Sequence, residues 1–229
     1  MSFLTHKLVT EIHLFYSKLS FTKLIIVVSI FCFLPPLTYA QTALPTRSMS
    51  IQAGLSLSTN TDAMADYQGG GIIRASLFLP ITTNLSTQVG LGWVQKGASG
   101  REGIIKVGLT VNYLSVPVLL SYNPTSSLRL MAGPVLSFSL GCSVSASVEG
   151  SDIDIQPLNC TDIEVELEDL VNPVDLSVMA GIGVDIPVSR TLSLNVDVAY
   201  DFGLTEAYSD GSKNRSFLFT TGVNFPLRW

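Results

Sequence analysis

Histidine is nearly missing. Both copies in the 229-residue chain, His6 and His13, fall within the first 40 residues, so nothing from residue 41 onward can use an imidazole. That excludes a Ser-His or Asp-His site from the body of the chain, and a histidine-containing metal site with it. Cysteine is scarce too. Of three, Cys32 sits in the same N-terminal stretch, which leaves Cys142 and Cys160. No apolar run reaches the roughly 20 residues that span a bilayer as a helix. No strongly amphipathic helix, heptad or basic stripe appears, which argues against nucleic acid as a partner.

What is present begins with an apolar run over residues 24–34, preceded by Lys23, followed by Pro35 and Pro36, and ending at the small-residue site Thr38-Tyr39-Ala40. This is the pattern of a secretory signal peptide. Cleavage is expected after Ala40, giving a leader over 1–40 and one domain over 41–229, with a retained N-terminal anchor as the alternative. Without Lys7, Lys18, Lys23 and Glu11, the 13 basic and 18 acidic residues fall to 10 and 17, a net charge of −7.

The remainder alternates with a period of two, the signature of strands with one apolar face. The clearest case is the hairpin over 175–204. Leu176, Val178, Ala180, Ile182, Val184 and Ile186 alternate with Asp175, Ser177, Met179, Gly181, Gly183 and Asp185, and after a turn at 187–190 Leu192 to Phe202 repeats the pattern. Further strands are expected at 49–58, 73–81, 85–93, 107–122, 128–140 and 216–229, eight in all. Within 107–122 the apolar parity changes between Tyr113 and Leu114, so a β-bulge is expected there.

The connections carry more information than the strands. Those at 82–84, 123–127 and 187–190 are short, whereas 59–70, 96–104, 141–172 and 205–214 are longer. Short turns at one end and long loops at the other are the outer-membrane arrangement. Face chemistry agrees, since Gly, Ser and a few charged residues opposite the apolar face suit the narrow interior of an eight-stranded barrel. The expectation is an all-β fold, a closed eight-stranded antiparallel up-and-down transmembrane β-barrel with short periplasmic turns and longer extracellular loops. A soluble lipocalin-like carrier of a small apolar ligand, with its apolar face inward, is the alternative, and a narrow channel is another.

The segments Tyr113-Leu-Ser-Val-Pro-Val-Leu-Leu-Ser-Tyr122, Ala132-Gly-Pro134, Asp175-Leu-Ser-Val-Met-Ala-Gly-Ile-Gly-Val184 and Asn214-Arg-Ser-Phe217 together resemble the PorT-like outer-membrane β-barrel family of Bacteroidetes-type bacteria, across nearly all of residues 41–229. The resemblance implies an integral outer-membrane barrel, and a link to protein secretion through the family's founding member. Phe225, Leu227 and the terminal Trp229 resemble the C-terminal signal read by the barrel-assembly machinery. An interfacial aromatic belt accounts for Trp229 equally well.

Candidate site residues are few. If Leu128 lies opposite Ile186, Arg129 faces Asp185 inside the barrel, where a charge-assisted bond would plug the lumen. Arg74, Lys106 and Asp197 are further lumen candidates. Carboxylate-only catalysis, with Asp197 beside Asp201 or Asp175, is the competing use of these acids. The loop over 141–172 holds eight acidic residues and no Lys or Arg. Its Cys142 and Cys160 suit a disulfide in an oxidising compartment, with metal binding or a reactive thiol as alternatives. Asp152, Asp154, Asp162, Glu164 and Glu166 either bind a hard cation such as Ca²⁺, bridging to lipopolysaccharide, or simply solvate an extended hairpin. No cofactor is expected. The partners expected are outer-membrane lipid and lipopolysaccharide, the assembly machinery, and a secretion or envelope protein.

Overall fold

In the computed structural model, the described residues are 47–61, 66–102, 105–148, 154–160, 171–189 and 191–227. The leader, its cleavage site, and Asp152, Asp162, Glu164, Glu166 and Trp229 lie outside them. Nine strands are described: β1 (Ser48–Asn60), β2 (Asp66–Pro80), β3 (Leu85–Glu102), β4 (Ile105–Tyr122), β5 (Leu128–Val148), β6 (Asp154–Asn159), β7 (Val174–Pro187), β8 (Ser193–Gly203) and β9 (Asn214–Pro226).

Every pairing is antiparallel, and eight strands form a closed wall. β1 pairs with β9 from Ser48↔Pro226 to Asn60↔Asn214, and β4 pairs with β5, so no edge faces lipid. The ninth strand, β6, pairs only with the outer end of β5 and stands outside the wall.

One end of the barrel carries the three tight connections 81–84, 123–127 and 188–192. Threonine hydroxyls close two of them, Thr82 accepting from the Leu85 amide at 3.1 Å and Thr125 from the Leu128 amide at 3.0 Å. The first and last described segments meet at the same end, where the Leu227 amide donates to the Arg47 carbonyl at 2.8 Å.

The other end differs from the expectation in one respect. Residues 96–102, expected in a loop over 96–104, are strand, because β3 runs to Glu102 and β4 starts at Ile105. β5, at 21 residues, also runs well beyond residue 140. These extensions are rich in Gly, Ser and amide side chains, whose weak apolar periodicity hides a strand that continues above the lipid. The shift in parity is also resolved differently. β4 pairs with β3 in one unbroken register, and the irregularity lies between β4 and β5 at Asn112/Tyr113, with Leu140 of β5 as the extra residue. β4 therefore does not slip, and Val111 and Tyr113 point inward and are fully buried. A second irregularity falls in the glycine run 69–71 of β2.

The faces settle which solvent each side meets. Leu55 is 64 % and Leu91 55 % exposed on the outside, whereas Gln52, Arg74, Arg129 and Asp197 are each 3 % exposed or less within. A soluble carrier would bury those leucines and expose the charges, so the lipocalin-like alternative is overturned. The apolar exterior meets hydrocarbon and the polar lumen is packed with side chains.

The closing register can be tested by crosslinking. Leu55→Cys with Phe219→Cys, opposite one another across β1 and β9, should form a disulfide in the folded protein, read as a reductant-sensitive mobility change. Leu55→Cys with Val223→Cys should not, and the reverse pattern would contradict the closure.

Candidate functional site

The lumen holds two ionic clusters, one above the other. The first lies near the short-turn end and is built around Arg129, the second residue of β5. Its Nη1 donates to both carboxylate oxygens of Asp185 on β7, each at 3.0 Å, and its Nη2 donates to Asp197 Oδ1 on β8 at 2.6 Å. The guanidinium also sits 5.2 Å from the centre of the Phe78 ring, a cation–π contact.

The register behind this geometry is two residues from the expected one. Leu128 pairs with Val184, not Ile186, so Arg129 stands opposite Gly183, and Gly183 in turn stands opposite Asp197. Glycine is needed at this position. A Cβ on residue 183 would collide with Asp197 Oδ1 and press on Arg129 Nη2. The bare backbone lets Arg129 cross β7 to the strand beyond while reaching diagonally to Asp185.

Asp197 also accepts from Gln52 Nε2 of β1 at 2.6 Å, and Gln52 Oε1 accepts from Arg74 of β2, from Nη2 at 2.9 Å and Nε at 3.2 Å. Arg74 and Asp197 thus both line the lumen without touching, relayed by an amide. An unbroken polar chain, Asp185–Arg129–Asp197–Gln52–Arg74, crosses five strands of the wall.

The second cluster centres on Lys96 of β3. Its ammonium lies 2.7 Å from Asp201 of β8 and 3.4 Å from Asp175 of β7, and 5.5 Å from the Tyr113 ring centre. Asn214, which opens β9, donates to Asp175 at 2.9 Å and to the Tyr113 hydroxyl at 3.3 Å, and accepts from the Tyr208 hydroxyl at 2.9 Å. Tyr208 belongs to the connection between β8 and β9, which folds over the barrel mouth and bridges to Val171. Burial pushes its phenol well above the ordinary tyrosine range, so it stays protonated and able to donate.

Where the clusters approach one another, Ile72, Val94, Val135, Met179 and Leu218 close, with Arg74 from one cluster and Lys96 and Asp201 from the other, around a void of about 10 Å³, room for one water at most. A cleft of about 500 Å³ opens at the short-turn end, with Arg129 and Asp185 among its lining residues. Arg129 and Asp185 therefore form the floor of a cup rather than the wall of a pore.

Sequence reasoning missed Lys96, Gln52, Tyr113, Tyr208 and Asn214. Lys96 had a usable signal, since it shares parity with the inward Gln88, Gly90 and Gly92 once β3 is extended beyond Trp93. The side chain of Lys106 lies outside the described residues. Asp175 and Asp201, considered as catalytic acids with Asp197, are 2 % exposed or less and are held by Lys96. Cys142 and Cys160 are joined in a disulfide with Cα atoms 5.5 Å apart, tying the end of β6 to β5. The backbone of Asp154 pairs with Ser147, and its side chain is outside the described residues. Phe225 and Leu227 are half-buried at the short-turn end.

Removing Arg129 would strand two carboxylates in the lumen. Arg129→Met should cost about 3–5 kcal/mol, the usual penalty for breaking a buried ion pair from one side, measured by urea unfolding in lipid vesicles. The double variant with Asp185→Asn should recover part of that loss, and strictly additive effects would contradict the pairing.

The family model for an outer membrane protein β-barrel domain matches residues 39–209. No curated protein matches the sequence. Among solved structures, Ail, the attachment invasion locus protein of Yersinia pestis, is 12 % identical, covering 79 % of this chain and 100 % of its own, with a TM-score of 0.43. Neisserial surface protein A is 16 % identical, with coverages of 78 % and 97 % and a TM-score of 0.40. A major outer membrane protein of Thermus thermophilus is 13 % identical, with coverages of 79 % and 99 % and a TM-score of 0.47. The family match takes in about three quarters of the chain, from β1 through β8, and on that extent the chain belongs to the family of outer membrane β-barrel domain proteins and resides in the bacterial outer membrane.

Proposed function

We propose that this barrel is a non-catalytic structural or interaction protein whose working part is the disulfide-tied, acidic segment displayed at the cell surface. The observation that carries this reading is the filled lumen: among the described residues the two buried ionic clusters meet across packed apolar side chains and a void of about 10 Å³, too small for a solute. A barrel that conducts nothing works through what it holds at its ends. At the outer end β6 adds to the extension of β5, which is itself paired with β4, and Cys142–Cys160 staples the two; in sequence the acids of residues 149–169 lie between and after these strands.

In this reading residues 1–40 are a secretory leader, and Phe225, Leu227 and Trp229 serve recognition by the assembly machinery. The partner is a secretion or envelope protein, as the PorT-like resemblance implies. Asp152, Asp154, Asp162, Glu164 and Glu166 supply the negative charge by which it is recognised. The lack of histidine beyond residue 13 supports a role without acid–base chemistry.

Two measurements test this. In planar bilayers the purified barrel should show no stepwise conductance, and steady ion flow would contradict the filled lumen. On intact cells a glutamate-specific protease should cut within 149–168, with the Cys142 and Cys160 peptides recovered as one linked species until reductant is added. Protection of this segment on intact cells would overturn the surface display.

A further inference from the structure

On the outer surface of the barrel, β9 presents a vertical row of alternate residues, Val223, Thr221, Phe219, Phe217 and Arg215, with Lys213 beyond them in the connection from β8. Arg215 is the one residue of this row within the strand that carries a charge. Its guanidinium lies 4.3 Å from the centre of the Phe202 ring on β8. Among the described residues no carboxylate pairs with it and no acceptor takes a hydrogen bond from it. The Lys213 ammonium is likewise without a partner among them, although its backbone amide donates to Thr61.

Height explains why a cation can stand here and what it would meet. Ten residues separate Phe225, at the short-turn end, from Arg215. At about 3.4 Å per residue and a tilt of about 40°, that is about 26 Å of rise, close to the roughly 25 Å apolar band of such barrels. Arg215 is therefore at the outer edge of the hydrocarbon. The opposite side of the barrel marks the same boundary, where outward Trp93 and Leu114 give way to Gln95 and Asn112, hydrogen-bonded to each other at 3.2 Å.

Just below Arg215 the exterior is aromatic. The Phe217 ring is 4.7 Å from Tyr200 and 6.3 Å from Tyr67, and Tyr67 is 55 % exposed. A stacked guanidinium leaves its N–H edges free for a bidentate anion, and the exposed phenol ring of Tyr67, next to Phe217, offers a flat surface to the CH face of a sugar. We propose that Arg215 and Lys213 hold a phosphate of an outer-leaflet glycolipid of the lipid A type, with Tyr67 packed against the sugar that bears it. The inference rests on the outer-membrane reading and adds to it a defined lipid site. Charge and height fit any phosphate at this boundary, and the aromatic platform favours a sugar phosphate over a simple glycerophospholipid.

The test is native mass spectrometry of the folded barrel in detergent, offered three probes: bisphosphorylated lipid A, the same lipid A after phosphatase treatment, and phosphatidylglycerol. Retention of the phosphorylated lipid A should exceed that of the other two by at least tenfold. In the Arg215→Gln/Lys213→Gln variant the preference should fall to within about twofold, with the heat-dependent gel mobility of the folded barrel unchanged. Equal retention of phosphorylated and dephosphorylated lipid A overturns the proposal without any variant. Equal retention of phosphatidylglycerol overturns the sugar-phosphate assignment, and an unaffected double variant overturns the residues. A wild-type protein with no heat-dependent mobility would instead count against the barrel reading itself.

Discussion

A barrel with hydrocarbon outside must keep its charges inside, and in this chain Arg129 makes that arrangement stable. One guanidinium neutralises Asp185 and Asp197 on two different strands, and Asp197 passes the connection through Gln52 to Arg74. Each buried charge would cost several kcal/mol alone. Together they draw five strands around a shared centre. Gly183 makes this arrangement possible by leaving open the one stretch of backbone that Arg129 must cross.

The same constraint shapes the outer half. Lys96 repeats the device with Asp175 and Asp201, and Asn214, Tyr113 and Tyr208 extend it into the connection that covers the mouth. Ile72, Val94, Val135, Met179 and Leu218 divide the two clusters around a small void that Arg74, Lys96 and Asp201 also line. The division explains how a polar interior can also be closed. It also leaves the two ends of the molecule to do separate things, a shallow cup below and a stapled strand pair above.

Much of this was legible in the sequence because lipid imposes a strict alternation. The eight wall strands, most of their outward residues and the short turns at 82–84, 123–127 and 187–190 follow from a period of two and from turn residues. The lumen partners followed less well. Arg129 and Asp185 are both inward by parity, but which residues stand opposite one another depends on strand stagger, which a one-strand pattern does not encode, and the expected pairing was two residues off. Lys96 was hidden because β3 continues above the lipid, where glycine and amide residues blur the alternation. Tyr113 was misplaced outside because an apolar residue facing a narrow lumen looks the same, in sequence, as one facing lipid. Tyr208 and Asn214 belong to a mouth covering that only the closed fold brings over Asp175.

The central claim is that the apolar face looks outward into hydrocarbon and the charged face inward. Trp93 reports on it directly, being an outward residue of β3 in a chain with two tryptophans. With Trp229→Phe removing the other, Trp93 fluorescence in vesicles should be strongly quenched by lipids brominated on their acyl chains and little affected by iodide in the aqueous phase. Quenching by iodide with no response to brominated lipid would contradict the account.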